Sequence, residues 1–323
     1  MRALICDDYQ GIEALRVGEL PEPEAAPGTL LVRVESAAVN FADTLMVAGQ
    51  YQIRPALPFA PGYELSGTVV DTGGSSDFSP GDRICGFAPF GAMAELVKVM
   101  PENAAPIPDG ISFEEGSVLP ATYGTSYHAL VDRAVLQEGE SLLVLGAAGG
   151  VGLAAVQVGK LLGGRVIGAV SSEEKAELIR DAGADDVIRY DEENLREGIK
   201  RTAGPAGVDV VYDAVGGEAT EAALRATGWN GRLLVVGFAS GTIPSIPLNL
   251  MLLKGNSVVG VFWGRFTAEE PARARANLDR IVSWVEAGDL KPFISKAFPL
   301  DQGREAMQLV AGRRSLGRVV VTP

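Results

Sequence analysis

From residue 142 onward the chain alternates short, nearly continuous apolar runs with stretches of helical length. The runs are LLVL at Leu142–Leu145, RVIGAV at Arg165–Val170, DVI at Asp186–Ile188, VDVVYDA at Val208–Ala214, RLLVVGF at Arg232–Phe238 and SVVGVFW at Ser257–Trp263. A strand covered on both faces has no polar side to present, so these runs predict a parallel sheet with helices above and below it. The first third has another rhythm. Thr29–Glu35 alternates in part, Leu65–Asp71 is β-branched, and short apolar runs recur at Arg83–Phe87 and Ala94–Val99. Pro and Gly turn signals such as Pro27-Gly28 and Pro80-Gly81 separate them, which predicts a compact, barrel-like β-rich domain. After Phe266 the pattern becomes amphipathic, with a helix over Ala272–Glu286 ending near Gly288 and a closing strand at Arg318–Thr322.

A chain of 323 residues suits two domains of about 150 residues each. Its 40 glycines lack a collagen-like period and point to tight turns and close backbone approaches. With 41 acidic against 28 basic residues the net charge is −13, which argues against nucleic acid and anionic membranes as partners. Cys6 and Cys85 are too few for a four-ligand zinc site or a disulfide framework, and they fit a reducing cytosol. The first residues are charged too early for an export signal. Leu142–Gly159 is uncharged, but its bunched glycines read as strand, turn and helix rather than a membrane span. The expected location is therefore cytoplasmic.

The sharpest local signal is Gly146-Ala147-Ala148-Gly149-Gly150-Val151-Gly152, between a strand ending at Leu145 and a helix running to about Leu162. Small residues allow the bend, and the free N–H groups of the helix start favour a pyrophosphate. The first two glycines are three apart instead of two, so the loop alone is equally a bare strand-to-helix turn; the six-run context favours a dinucleotide. After the next strand, where a carboxylate would accept the ribose hydroxyl of NAD, the chain has Ser171-Ser172 with Lys175 following. Hydroxyls and an ammonium suit a 2′-phosphate, which favours NADPH over NADH. The competing reading makes Lys175 a solvated helix residue balancing Glu173 and Glu174.

His128 is the only histidine, in the apolar stretch TSYHAL, and reads as a satisfied core or rim residue. No multi-His or paired-Cys spacing supplies a zinc Lewis acid. An isolated ketone concentrates the charge of hydride reduction on one oxygen, whereas a quinone or enone spreads it, so conjugated acceptors are expected. Asn40, conspicuous after an apolar run in AAVNFAD, either holds the carboxamide or ribose of the cofactor or caps a helix beginning near Phe41. Tyr51 either donates its phenol to an acceptor oxygen or packs against the loop prolines. Asp43 reads as structural. Phe59, Phe262 and Trp263 either line an apolar slot or belong to the core.

Taken in order, AAVNFADTLMVAGQY, PGYELSGTVVDTG, GDRI, LPATYGTSYHAL, LVLGAAGGVG, VDVVYDAVGG, LLVVGFASG and LGRVVVTP resemble the zinc-free quinone oxidoreductase (zeta-crystallin-like) branch of the medium-chain dehydrogenase/reductase superfamily. The zinc-bearing relatives have Cys where Asn40 stands and Gly-His-Glu where this chain reads Gly62-Tyr63-Glu64. The resemblance implies an α/β fold with two parts. A Rossmann NADP-binding domain over residues 120–265 has strand order 3-2-1-4-5-6, and a GroES-like catalytic domain is formed by 1–119 and 266–323. It implies NADPH contacts from Asn40, Thr125, Gly149, Gly150, Val151, Gly152, Ser172, Lys175, Tyr190, Phe238 and Arg318, to which the reading of the residues adds Ser171 and Phe262. It sets Tyr51, with Asn40, beside the nicotinamide and the acceptor. No metal is expected. A homodimer through the edge strand Ser257–Trp263 would cover a hydrophobic edge. Leu45 replaces a second cleft tyrosine of some relatives, implying a more apolar substrate pocket. The expected activity is reduction of a quinone or other conjugated carbonyl by NADPH. Enoyl-thioester or alkenal reduction and NADPH binding with little turnover are the alternatives.

Overall fold

The computed structural model describes residues 1–323 and divides into two compact units, Met1–Gly124 with Gly264–Pro323, and Thr125–Trp263. The sequence pattern puts the breaks at 119/120 and 265/266; the structure moves each by a few residues. Residues 120–124 stay with the β-rich unit because the Ala121 and Thr122 amides donate to Glu64 within it, both at 3.0 Å.

In the β-rich unit a seven-stranded sheet runs in the order Ile294–Pro299, Arg318–Thr322, Leu30–Ala38, Glu64–Asp71, Arg83–Phe87, Ala104–Pro106, with Leu96–Val99 also paired to Leu30–Ala38. A two-stranded antiparallel sheet, Arg2–Ile5 with Arg16–Glu19, completes the β structure. Leu30, Val32 and Val34 point into the core while Leu31, Arg33 and Glu35 are more exposed, the period-two reading of a half-buried strand. The closing strand does return to this unit. It pairs antiparallel with Leu30–Ala38 through Val320 and Ala38, and Ala38 in turn pairs with Glu64. That register brings Asn40, Glu64 and Arg318 to one end of the sheet, although 254 residues separate the last two.

The other unit is a six-stranded parallel sheet of Ser141–Leu145, Arg165–Val170, Asp186–Arg189, Val208–Asp213, Thr227–Val235 and Ser257–Gly260. Taking the strands in chain order, they lie 3-2-1-4-5-6 across the sheet. Ser141–Leu145 is buried throughout, as a central strand between helical layers must be. Two strands differ by more than one residue from the apolar runs that announced them. The fifth begins earlier, at Thr227, and stops at Val235, leaving Phe238 in the following loop; the sixth stops at Gly260. Trp263 opens the helix Trp263–Glu269 instead of ending that strand, and the amphipathic helix spans Pro271–Glu286. Apolar character continues past each strand into the segment that follows, and apolarity alone does not mark where a strand ends. No helix is long and apolar enough to cross a membrane.

Candidate active site

Asn40 is the N-cap residue of the helix Phe41–Val47, so the capping role anticipated for it is real. Its backbone N–H donates to Asp43 Oδ2 at 2.8 Å, the carboxylate arm of a capping arrangement. The amide side chain is engaged elsewhere: Nδ2 donates to Glu64 Oε1 at 3.0 Å and Oδ1 accepts from Arg318 Nη2 at 2.9 Å. Arg318 Nη2 also donates to Glu64 Oε1 at 2.6 Å, and Thr122 Oγ1 donates to the same oxygen at 2.7 Å. With the Ala121 and Thr122 amides on Oε2, the fully buried Glu64 carboxylate has donors on both oxygens. This is what a buried ion pair requires to offset its desolvation. Two atoms of the region are left bare, Asp43 Oδ1 and Arg318 Nε.

Tyr51 is half-buried against the core of the same unit. Loss of solvation, reinforced by the charge of Asp43, raises its phenol above the ordinary value of 10.0. Tyr63 is raised well above that value by burial, then by Glu64, Asp43 and Tyr51. Burial pushes the Asp43 carboxyl up to about 7, with Glu64 adding to the rise while the Asn40 and Gly62 amides and Arg318 oppose it. Phe59 belongs to the core, stacked obliquely on Tyr9 with ring centroids 6.1 Å apart. Both thiols are buried and pushed upward, Cys6 to about 11 and Cys85 to about 12. Such thiols are poor nucleophiles at neutral pH.

In the parallel-sheet unit the candidate residues gather at the carboxyl ends of the strands, where the order reverses between the first and fourth strands. Gly146 turns the chain with φ +69°, and the helix Gly150–Leu161 starts behind Gly149. A Cβ on Gly152 would lie 2.2 Å from the Gly146 carbonyl oxygen, so the loop closes this tightly only around glycine. The first-turn amides have no partner within the helix and form an anion cradle. Sequence reasoning missed what braces it. Ser126 Oγ donates to Val151 O at 2.8 Å and meets the buried Tyr212 hydroxyl at 3.1 Å. No spacing in the sequence links these three residues.

Beside the loop, Lys175 Nζ donates to Ser171 Oγ at 3.1 Å, while Ser172 Oγ caps the helix Glu173–Asp181 by accepting from Lys175 N at 3.3 Å. Tyr190 follows the third strand, 45% exposed, its amide bonded to Val170 O at 3.1 Å. Lys175 does not balance Glu173. That carboxylate pairs with Arg180 at 2.6 Å and Arg189 at 2.7 Å, which hold it below its ordinary range. Asp213, at the end of the fourth strand, accepts from the Val215 and Gly216 amides at 2.9 Å and from Thr220, fixing the loop against which Phe238 rests. Thr125 is half-buried at the start of this unit, and Phe262 lies beyond the sixth strand with its ring largely exposed. His128 is buried with Nδ1 2.8 Å from Asp132. No three His, Cys, Asp or Glu side chains converge to hold a metal ion.

Residues 26–109 match the family model described as alcohol dehydrogenase GroES-like domain, and residues 150–281 the one described as zinc-binding dehydrogenase. Together with the two folds, these matches define a medium-chain dehydrogenase/reductase. The quinone oxidoreductase-like protein 2 homolog of Nematostella vectensis is 41% identical over 99% of this chain and 88% of its own. The mycobacterial protein Rv1454c complexed with NADPH superposes with a TM-score of 0.93 at 30% identity, over all of both chains. The Escherichia coli quinone oxidoreductase complexed with NADPH gives 0.92 at 27% identity, again over all of both chains. The chain belongs to the zinc-free quinone oxidoreductase branch of the medium-chain dehydrogenase/reductase superfamily.

Proposed function

We propose that the protein is an NADPH-dependent reductase of quinones or other conjugated carbonyls, acting without a metal ion. The observation that carries this reading is the Lys175 ammonium seated on Ser171, next to Ser172 and Tyr190, with Glu173 drawn off to Arg180 and Arg189. A 2′-phosphate would find there a cation, two hydroxyls and a phenol, with Glu173 held by two arginines; no carboxylate follows the second strand directly for the ribose of NADH to bond. Two relatives solved with NADPH support the same cofactor.

In this reading the amides of Gly150, Val151 and Gly152 receive the pyrophosphate, with Gly149 giving the loop its bend. Thr125, Phe238, Phe262, Asn40 and Arg318 are the further cofactor contacts. When bound, NADPH supplies a hydride. Tyr51 orients the acceptor and donates a proton to its oxygen, and because the acceptor delocalises the incoming charge, one donor suffices. The Asn40–Glu64–Arg318 network holds the backbone ahead of the helix that leads to Tyr51. Buried, unreactive thiols suit a reducing, cytoplasmic setting. A second copy is proposed to pair along the edge strand Ser257–Gly260, where Trp229 and Leu252 are 72% and 82% exposed nearby in the same unit.

The test is cofactor discrimination with a quinone as acceptor. Lys175→Ala should raise the KM for NADPH about tenfold or more, the value of one charge-assisted hydrogen bond, and leave that for NADH nearly unchanged. Equal changes for the two cofactors would remove the phosphate role. A panel of quinones, enones, alkenals and enoyl thioesters then ranks the acceptors, and no NADPH consumption with any of them would mark a binding protein instead.

A further inference from the structure

Two hydroxyls behind the glycine loop form a chain with a fixed direction. Ser126, on the short helix Gly124–Tyr127, and Tyr212, on the fourth strand of the parallel sheet, are both fully buried. Tyr212 stands beside Val144 of the first strand, one residue before the Leu145 that leads into the loop. Ser126 Oγ lies 2.8 Å from Val151 O, an atom that can only accept, so the one serine proton is spent there. The Tyr212 hydroxyl, 3.1 Å from the same Oγ, is therefore the donor of that contact. The protons point one way, from phenol to serine to the Val151 carbonyl.

That carbonyl belongs to the peptide joining Val151 to Gly152. The other end of the same peptide is the Gly152 N–H, in the first turn of the helix Gly150–Leu161, where amides have no partner within the helix. Resonance ties the two ends together. A hydrogen bond accepted by the C=O draws electrons toward oxygen and makes the N–H of that unit a stronger donor. A helical carbonyl already accepts from the amide four residues on, so the serine bond is additional to what the helix itself uses. The peptide also has little room to turn away from it, since a Cβ on Gly152 would stand 2.2 Å from the Gly146 carbonyl oxygen and 3.0 Å from Ala147 Cα.

We infer that Tyr212 and Ser126 are positioning residues for the cofactor, their hydroxyl chain orienting and polarising the Val151–Gly152 peptide so that the Gly152 N–H grips a phosphate oxygen. This rests on the cofactor reading proposed above. The two residues act through the peptide and not by contact. An anion at the amide completes a line of phenol, serine, peptide and phosphate in which each hydrogen bond polarises the next.

Tyr212→Phe removes the phenol oxygen and keeps the ring; Ser126→Ala removes the middle hydroxyl. By titration calorimetry NADPH should bind about threefold more weakly to the Phe variant and about tenfold more weakly to the Ala variant. The double variant should be no weaker than Ser126→Ala, because a chain cut in the middle loses nothing more at its start. With a quinone the loss should fall on the KM for NADPH and not on kcat. NMR of the cofactor-free protein reads the polarisation itself: in Tyr212→Phe the Gly152 amide proton should move upfield, while amides of the helix beyond its first turn stay in place. Wild-type affinity in both single variants, losses that add in the double variant, or a Gly152 amide proton that does not move would overturn the chain and leave the proposed function standing. No NADPH binding by the wild type would overturn both, whereas binding without turnover would remove only the reductase reading. Ser126→Ala strands a buried phenol; should it fail to fold, Tyr212→Phe and the double variant leave no such donor and still decide.

Discussion

Glu64 is the residue on which the β-rich site turns. Zinc-bearing relatives have Cys where Asn40 stands and His where Tyr63 stands; in this chain the Glu64 carboxylate accepts from Asn40 Nδ2 and Arg318 Nη2. Removing one partner of such a buried pair is commonly worth several kcal/mol, because it strands the other charge. Tyr51 is a different kind of residue, since its hydroxyl bears on function rather than on the fold. Tyr51→Phe should lower kcat about tenfold or more while leaving the KM for NADPH and the melting temperature nearly unchanged. An unaltered kcat would reduce Tyr51 to packing. At this scale the sequence is only half legible. Asn40 stood out as an amide in an apolar run, whereas the role of Glu64 depends on Arg318, 254 residues away, and no local pattern reports such a pairing.

The decisive element is the strand-to-helix turn from Leu145 to Gly152. Its glycines were readable because backbone sterics permit few other residues there, and the structure shows where the constraint is tightest. Gly152→Ala would set a methyl 2.2 Å from the Gly146 carbonyl, contact with backbone that cannot simply rotate away. The helix must shift, at a cost of about 1–3 kcal/mol, and its amides move with it. Calorimetry should show a lowered melting temperature together with weaker NADPH binding; wild-type affinity in this variant would mean that the loop does not grip the pyrophosphate. Strand ends were less legible than strand existence. Phe238 and Trp263 extend apolar runs past the last ladder bond, and the hydrophobic pattern is the same for a residue in a strand and for one just beyond it.

For the molecule as a whole, the order 3-2-1-4-5-6 leaves the strand Ser257–Gly260 at an edge with Val258 exposed. Nearby in sequence, the helix Leu248–Lys254 presents Leu248, Leu252 and Leu253 to solvent. An apolar surface of this kind beside an edge strand is an aggregation hazard unless it is covered, and the proposed second copy of the same edge would cover it with closed symmetry. Leu252→Glu combined with Val258→Lys should convert a dimer to a folded monomer in sedimentation velocity. A wild-type monomer, or an undisturbed dimer in the double variant, would contradict this edge as the interface. The two-part architecture itself was legible from the change of rhythm near Leu119. The return of the closing strand was legible only through the family resemblance, which joins residues 266–323 to 1–119, because a pairing between Val320 and Ala38 leaves no mark on either segment alone.

The proposed function requires direct hydride transfer from NADPH to a delocalising acceptor, and one labelling experiment reaches that step. NADPH carrying deuterium at the transferable position of C4 is turned over with an enone, and the product is read by NMR, with the rate compared against unlabelled cofactor. Direct transfer should place deuterium on the carbon β to the carbonyl, give a primary isotope effect on hydride transfer in single turnover, and leave the corresponding saturated ketone unreduced. Oxidation of NADPH with the label absent from product, or equal reduction of the saturated ketone, would contradict it.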